Sequence, residues 1–316
     1  MKFLVTGGAG FIGSHIVDAL VANGDKVKVI DDFSSGSMEN LSGVLNKIEL
    51  IKGDIRNKEL VKEAVKGVDY CLHQAALRSV PKSLANPEFY NDVNINGTLN
   101  ILTASLDAGV KRVVVASSSS IYGDIDKLPE REDFLPQLIS PYGLTKLAAE
   151  YYSRIFSKIY GLETVNLRYF NVFGPRQSLE NEYAVVVPKF ITCMLNDIQP
   201  PIHGDGKQTR DFTYIANVVQ ANIKSATTPG IKCEVFNIAC GKAYSVLDIV
   251  KYVNKILGKS ILPAFGPIRA GDTKHTLADI SKARKLIGFK PEIGFEEGLK
   301  RTIEYFRGTV KPVGQV

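Results

Sequence analysis

One short stretch decides most of what this chain can become: Thr6-Gly7-Gly8-Ala9-Gly10-Phe11-Ile12-Gly13. An apolar run, residues 2–6, leads into it. Residues 11–22 lead out, with Ile12, Ile16, Ala19 and Leu20 recurring at helical spacing. Three glycines spaced G-x-x-G-x-x-G between a strand and a helix make a phosphate cradle. Gly7 permits the tight turn out of the strand, Gly10 lets backbone amides approach a pyrophosphate, and Gly13 lets helix and strand pack closely. Phe11 and Ile12 open the helix, whose N-terminus adds partial positive charge. Asp31 ends the next strand, 26–30, about 20 residues on, as the dinucleotide fingerprint requires. A carboxylate there accepts hydrogen bonds from ribose hydroxyls and repels a 2′-phosphate. No arginine stands beside it, so the pattern favours NAD over NADP.

Strands continue at 48–51, 68–72, 112–116 and 164–167, with helical stretches between them. Such alternation predicts right-handed βαβ crossovers and an α/β fold, a Rossmann doubly wound parallel sheet. After about residue 170 prolines and glycines thicken, and short helices follow at 215–226, 246–257, 280–287 and 295–305. They predict a smaller C-terminal α/β lobe. The expected division is a dinucleotide-binding domain over 1–170, with returning segments at about 212–238, and a mainly substrate-binding lobe over 171–316.

Composition removes other classes. Lys and Arg number 39 against 33 Asp and Glu, a net charge of +6. The basic residues are interspersed with acidic ones, which argues against nucleic acid and leaves at most mild steering of anionic ligands. No apolar run approaches the roughly 18 residues of a membrane span. Met1–Thr6 is too short for a signal peptide, so a cytoplasmic protein is expected. Cys71, Cys193, Cys233 and Cys240 form no C-x-x-C pair, and are expected to be reduced and mostly buried. No metal-ligand spacing is present.

Two further segments suit a dinucleotide. In Gly53-Asp54-Ile55 the carboxylate can meet the adenine amino group while Ile55 covers the ring. In Gln74-Ala75-Ala76-Leu77, small residues let a cofactor pass close to backbone. The chemistry points to Tyr142-Gly143-Leu144-Thr145-Lys146. Residues four apart share a helix face, so Tyr142 and Lys146 can enter one cleft. A phenol with a pKa of about 10 is a poor base at neutral pH, and a nearby ammonium favours the phenolate. The serine run 117–120 ends the fifth strand, where open α/β sheets bind ligands.

These pieces together resemble the extended short-chain dehydrogenase/reductases, specifically the UDP-sugar 4-epimerases. The likeness runs from Gly7 to Asp279 through TGGAGFIG, GDIR at 53–56, HQAA at 73–76, NINGT at 94–98, SSSSIYG at 117–123, SPYGLTK at 140–146, LRYFNVFGPRQ at 167–177, GDGKQTRDFTY at 204–214 and RAGDTKHTLADISKA at 269–283. The resemblance implies tightly held NAD and a UDP-sugar substrate. It makes Ser118 the catalytic hydroxyl, Tyr142 the base and Lys146 its helper. It puts Asn94 on the cofactor, and Arg78, Ser79, Ser119, Ser120 and Val187 in the substrate pocket. Asn171 would bond the UDP-sugar, Arg210 and Arg269 the diphosphate, and Asp272 the uridine ribose. It implies a homodimer through helices near 88–108 and 141–160.

Sugar 4,6-dehydratases are expected to carry Asp-Glu where Ser119 and Ser120 stand. Thr276 occupies a place where strict UDP-glucose epimerases carry Tyr, which leaves room for a 2-acetamido group and favours UDP-N-acetylglucosamine. Arg78 stands where that branch can have glycine, and its side chain can fill part of the same room. The alternatives are a UDP-glucose-only or UDP-glucuronate 4-epimerase, and remotely a silent NAD-binding protein, which would be expected to lose Tyr-x-x-x-Lys.

Overall fold

The structure, a computed structural model, describes residues 1–178, 186–267 and 274–309. Seven parallel strands form the central sheet: β1 (Lys2–Thr6), β2 (Lys26–Asp31), β3 (Ile48–Lys52), β4 (Tyr70–His73), β5 (Arg112–Ser118), β6 (Glu163–Tyr169) and β11 (Glu234–Ile238). Their spatial order is β3-β2-β1-β4-β5-β6-β11, every neighbour parallel. The order reverses between β1 and β4, and a ligand crevice is expected beyond the strand ends at that point. Short strands lie between and beyond: β7 (Val172–Phe173), β8 (Pro201–His203), β9 (Thr209–Asp211), β10 (Thr213–Tyr214), β12 (Ala243–Ser245) and β13 (Ala264–Gly266), joined in three pairs.

Helices α1 (Phe11–Ala22) and α8 (Ile215–Thr227) cover one face of the sheet. On the other lie α2 (Lys58–Val65), α5 (Gly97–Asp107) and α6 (Pro141–Tyr160). Strand side chains alternate between two cores: Val114, Val165 and Leu167 pack with the first layer, Val113 and Val115 with the second. The first core continues into the C-terminal lobe, where α7 (Val186–Leu195), α9 (Val246–Leu257), α10 (Ser281–Ile287) and α11 (Phe295–Thr309) surround Phe173, Phe212 and Phe295. Within residues 212–238, α8 packs on the sheet and β11 pairs with β6.

Local chemistry sets the best-formed helix. Ser140 caps α6, its Oγ accepting from Gly143 N at 3.1 Å. Pro141 takes the first turn, and Gly161 at φ 79° closes the helix in the left-handed region. The long helix expected near 88–108 runs unbroken from Pro87 to Asp107 as α4 (Pro87–Asn91), a π turn over Asp92–Asn96, and α5. Single π turns are uncommon and collect at functional sites. Before them stands the short α3 (Val80–Ala85).

The thiols are all free, as expected, but only Cys71 is buried; Cys193, Cys233 and Cys240 are half-buried. No helix among the described residues is long and apolar enough to cross a membrane. No group of metal-ligating side chains is found among them.

Candidate active site

The glycine loop is as tight as its composition requires. A Cβ at Gly13 would lie 2.1 Å from the Gly7 carbonyl oxygen. One at Gly7, where φ is 65°, would lie 2.8 Å from the Ala75 backbone. Gly10 caps α1 without a side-chain bond, and no acidic residue occupies the first turn. The amides of that turn are therefore free for an anion. Asp31 is buried and accepts from Ala9 N and Phe33 N, each at 2.8 Å. Burial raises its pKa, and the two amide bonds oppose that rise. Asp32 follows it into the same cleft, so a 2′-phosphate would meet two carboxylates.

That cleft, of ≈ 640 Å³, runs past Gly10, Asp31, Asp54, Ile55 and Ala75 to Tyr142 and Lys146. Its size and shape suit a dinucleotide, and the glycines leave the space where side chains would stand. Asp54 is held by Arg56 at 2.9 and 2.6 Å, which keeps its carboxyl below the usual range. Ile55 is buried against Gly97.

Beneath the cleft runs a buried chain of hydrogen bonds. Ala75 N donates to Thr6 Oγ1 at 3.1 Å, and Thr6 Oγ1 meets His73 Nδ1 at 2.7 Å. His73 Nε2 meets Thr98 Oγ1 at 3.0 Å, and Thr98 donates to Asn94 O at 2.6 Å. The sequence of donors assigns the proton of His73 to Nε2. Burial and the charge of Lys146 push the imidazole down to about 3, so it stays neutral. Asn94 exchanges bonds with Leu77, N to Oδ1 at 2.8 Å and Nδ2 to O at 3.0 Å, and also donates to Thr145 Oγ1 at 3.0 Å. Its amide thus ties the segment after β4 to α6.

Tyr142 and Lys146 face one another on α6, the ammonium 6.0 Å from the ring centroid. Lys146 is buried, donates to Ala116 O at 2.9 Å, and is pushed down to about 8 by desolvation. Burial raises the Tyr142 phenol, while the Ser118 hydroxyl beside it and the charge of Arg78 pull it back. Ser118 Oγ also accepts from Ser120 N at 3.1 Å, which fixes the turn after β5. Ser120 Oγ is buried with no partner among the described residues. Ser117 donates to Glu150 at 2.5 Å, and Glu150 forms a two-pronged buried pair with Arg168 at 2.9 and 2.8 Å.

The remaining expected residues fall as follows. Arg78 is exposed beside Tyr142, and Ser79 caps α3, its Oγ accepting from Lys82 N at 3.3 Å. Ala76 lines the cleft, and Ser119 begins the turn after Ser118. Asn171, at φ 33°, donates to Thr276 Oγ1 at 3.3 Å; Thr276 is buried and also accepts from Asp211 N at 3.4 Å. Arg210 is half-buried, its Nη1 on the carbonyls of Thr209 and Lys274. Arg269 and Asp272 lie outside the described residues. Val187, on α7, is fully buried in the hydrophobic core. Sequence reasoning passed over Arg176 and Gln177, which line the cleft from a segment packed against α1. Arg176, at φ 64°, is anchored to Asp18 at 2.7 Å, and only the proline-glycine punctuation before it hinted at such a turn.

The chain matches the GDP-mannose 4,6 dehydratase family over residues 4–302. A putative UDP-glucose 4-epimerase of Methanocaldococcus jannaschii is 40% identical, over 96% of this chain and 98% of that one. A UDP-glucuronate 4-epimerase of Thermodesulfobacterium geofontis is 35% identical, over 99% and 98%. Among solved structures, the UDP-N-acetylglucosamine 4-epimerase of Methanobrevibacter ruminantium, in complex with UDP-N-acetylmuramic acid, superposes with a TM-score of 0.94 at 42% identity, covering 98% and 99% of the two chains. The Thermus thermophilus UDP-glucose 4-epimerase, complexed with NAD, superposes with a TM-score of 0.90 at 34% identity, covering 98% and 100%.

Proposed function

The chain belongs to the GDP-mannose 4,6 dehydratase family, and on that footing we propose that it is an NAD-dependent UDP-sugar 4-epimerase whose preferred pair is UDP-N-acetylglucosamine and UDP-N-acetylgalactosamine. The observation that carries this is the meeting of Ser118, Tyr142 and Lys146 at the end of the dinucleotide cleft. Gly7, Gly10, Phe11, Ile12 and Gly13 would hold the pyrophosphate, and Asp31 the adenosine ribose. Bound there, NAD supplies a reversible hydride acceptor. Tyr142 takes the proton of the sugar 4-hydroxyl and later returns it to the same oxygen, after the 4-keto sugar has turned its other face toward the cofactor side of the cleft. Ser118 orients that proton, and Lys146 favours the phenolate.

Arg210, with Arg269, suits the diphosphate, since guanidinium recognises phosphate in two-pronged fashion. Asn171, Ser119, Ser120 and Asp272 complete the sugar and uridine contacts, and the unpartnered Ser120 hydroxyl is suited to a sugar oxygen. The absence of Asp-Glu at 119 and 120 separates this chain from the dehydratase for which its family is named. Thr276 favours the acetamido sugars, because a hydroxyl side chain leaves space that a tyrosine ring would fill. Arg78 opposes it at the mouth.

The division into a 1–170 cofactor domain and a 171–316 substrate lobe belongs to the same reading. So does a homodimer: Leu144, Tyr151, Ile155 and Ile159 form an exposed apolar stripe along α6, the kind of face a second copy covers. Four free thiols accord with the cytoplasm. The test is incubation of the purified protein with UDP-N-acetylglucosamine, UDP-glucose and UDP-glucuronate, and chromatography of the products. Turnover of the acetamido sugar is expected to lead. Turnover of UDP-glucuronate alone would replace this reading with that of the glucuronate branch.

A further inference from the structure

Two side chains of α1 hold a distant segment against the cofactor cleft. Phe11, His15 and Asp18 stand four and three residues apart, on one face of the helix. His15 donates from Nε2 to the Pro175 carbonyl at 3.0 Å, since a carbonyl oxygen only accepts. Burial holds the imidazole below its ordinary value, and the edge of Phe11, ring centroids 5.9 Å apart, fixes its plane. One turn on, Asp18 pairs with Arg176 at 2.7 Å, both side chains half-buried.

The segment so held, residues 174–178, takes a path that needs holding. It leaves the two-stranded pair of β7 and β10, and at Gly174 it passes so close to α8 that a Cβ would lie 2.5 Å from Ile215 Cγ2. Arg176 then adopts φ 64°, a left-handed conformation that a long side chain seldom takes unless its surroundings impose it. The Asp18 carboxylate supplies that constraint. Arg176, Gln177 and Ser178 line the cleft together with Phe11 at the start of α1. Tyr305 and Phe306 of α11 line it as well, on a helix fixed by the burial of Phe295, Leu299 and Ile303. Apolar packing thus anchors α11, whereas the 174–178 strap reaches α1 through one hydrogen bond and one ion pair.

The epimerisation proposed above passes through a stage at which the cofactor is reduced and the sugar is a ketone. Loss of the cofactor then would strand the sugar in the wrong oxidation state. We propose that Asp18 is a cofactor-retaining residue: acting through Arg176, it clasps residues 174–178 to α1 and slows the escape of NAD and of NADH formed in mid-cycle. This rests on the reading of the cleft as an NAD site. Asp18 is a positioning residue, so its removal should speed cofactor exchange and leave the chemical step alone.

The test loads the protein with radiolabelled NAD, chases it with unlabelled NAD, and follows the label that stays on the protein. Asp18→Ala should shorten the half-time of exchange by about fivefold, as suits a half-buried ion pair. Asp18→Arg should shorten it further, because two guanidinium groups would face each other. Asp18→Arg combined with Arg176→Asp restores the pair in reverse and should return exchange toward the wild-type rate. In Asp18→Ala, UDP affinity by calorimetry and kcat in saturating NAD should match wild type, which a merely structural loosening would not allow. Wild-type exchange in Asp18→Ala overturns the proposal. A fall in UDP affinity parallel to the faster exchange overturns it too, and failure of the reversed pair would give Arg176 a direct role on the cofactor in place of the clasp. Wild-type protein that takes up no NAD would overturn the cofactor reading itself, an outcome distinct from equal exchange in wild type and variants.

Discussion

Asn171 Nδ2 and Thr276 Oγ1 are hydrogen-bonded at 3.3 Å, so the two residues assigned to the sugar side of the pocket hold one another. On the proposed reading Thr276 would do two jobs: its small volume would leave room for the acetamido group, and its hydroxyl accepts from Asn171, which stands at a positive φ of 33°. The two are separable. Thr276→Val keeps the volume and loses the bond, and should lower kcat/KM for acetamido and plain hexoses alike. Thr276→Tyr should suppress the acetamido sugar far more than the plain one. Equal suppression of both by Thr276→Tyr, or rescue of the acetamido sugar by Arg78→Gly alone, would pass the specificity role to Arg78.

Tyr142→Phe should lower kcat by about 10²–10⁴-fold, the usual worth of a general base, and leave UDP-sugar affinity nearly unchanged. Ser118→Ala should be milder, since water can replace part of an orienting hydroxyl. Initial-rate kinetics and calorimetry decide between them. Wild-type turnover in Tyr142→Phe would place the base elsewhere, and wild-type turnover in Ser118→Ala would shift the serine role to Ser119 or Ser120.

The purified protein should release NAD, not NADP, on denaturation, because Asp31 and Asp32 face the ribose side of the cleft. Gly13→Ala should abolish that content. Its methyl would meet the Gly7 carbonyl at 2.1 Å, a backbone atom that cannot yield without opening the loop. Chromatography of the denatured supernatant reads both outcomes.

Glu150→Ala should destabilise the protein by about 3–5 kcal/mol, the cost of leaving a buried partner charge unpaired. Arg168 would lose both of its carboxylate bonds, and Ser117 its acceptor. Denaturant unfolding measures the change. A loss below about 1 kcal/mol, the range of exposed pairs, would mean that water reaches Arg168 freely.

Glu130 predicts a pH effect. It is 1% exposed, and burial with Asp211 nearby pushes its carboxyl up to about 8. A raised folded pKa means that the native state binds the proton more tightly than the unfolded chain does. That contribution is full below the unfolded value of about 4.3 and is lost as pH rises to about 8. Glu130→Gln should therefore flatten the fall in Tm between those values. Parallel Tm profiles for the two proteins would show that Glu130 ionises normally.

Much of the site was legible because its signals are local. The glycine loop, Asp31 and the Tyr142–Lys146 pair each depend on spacing within one strand–turn–helix or one helix, and α1 and α9 have the bounds that periodicity gives. What escaped depends on distant contacts. Nothing near Asn94 signals a π turn, whose geometry is set by Leu77 and Thr145. Arg176 reaches the cofactor cleft only because Asp18 anchors it from α1. The short strands β7 to β10 have too few residues to show alternation.

The pairing of β11 with β6 bears on how the chain is made. Synthesis runs from the N-terminus, and domains tend to fold as they emerge. Here the sheet lacks its last strand until residue 238 has left the ribosome, 69 residues after β6 ends at Tyr169. Until then Thr164, Asn166 and Arg168 belong to an unpaired margin, which invites association with other nascent chains. A gene fragment stopped near residue 170 should for that reason yield insoluble protein, however complete its nucleotide-binding motif, because the sheet is completed only by β11 at Ile238.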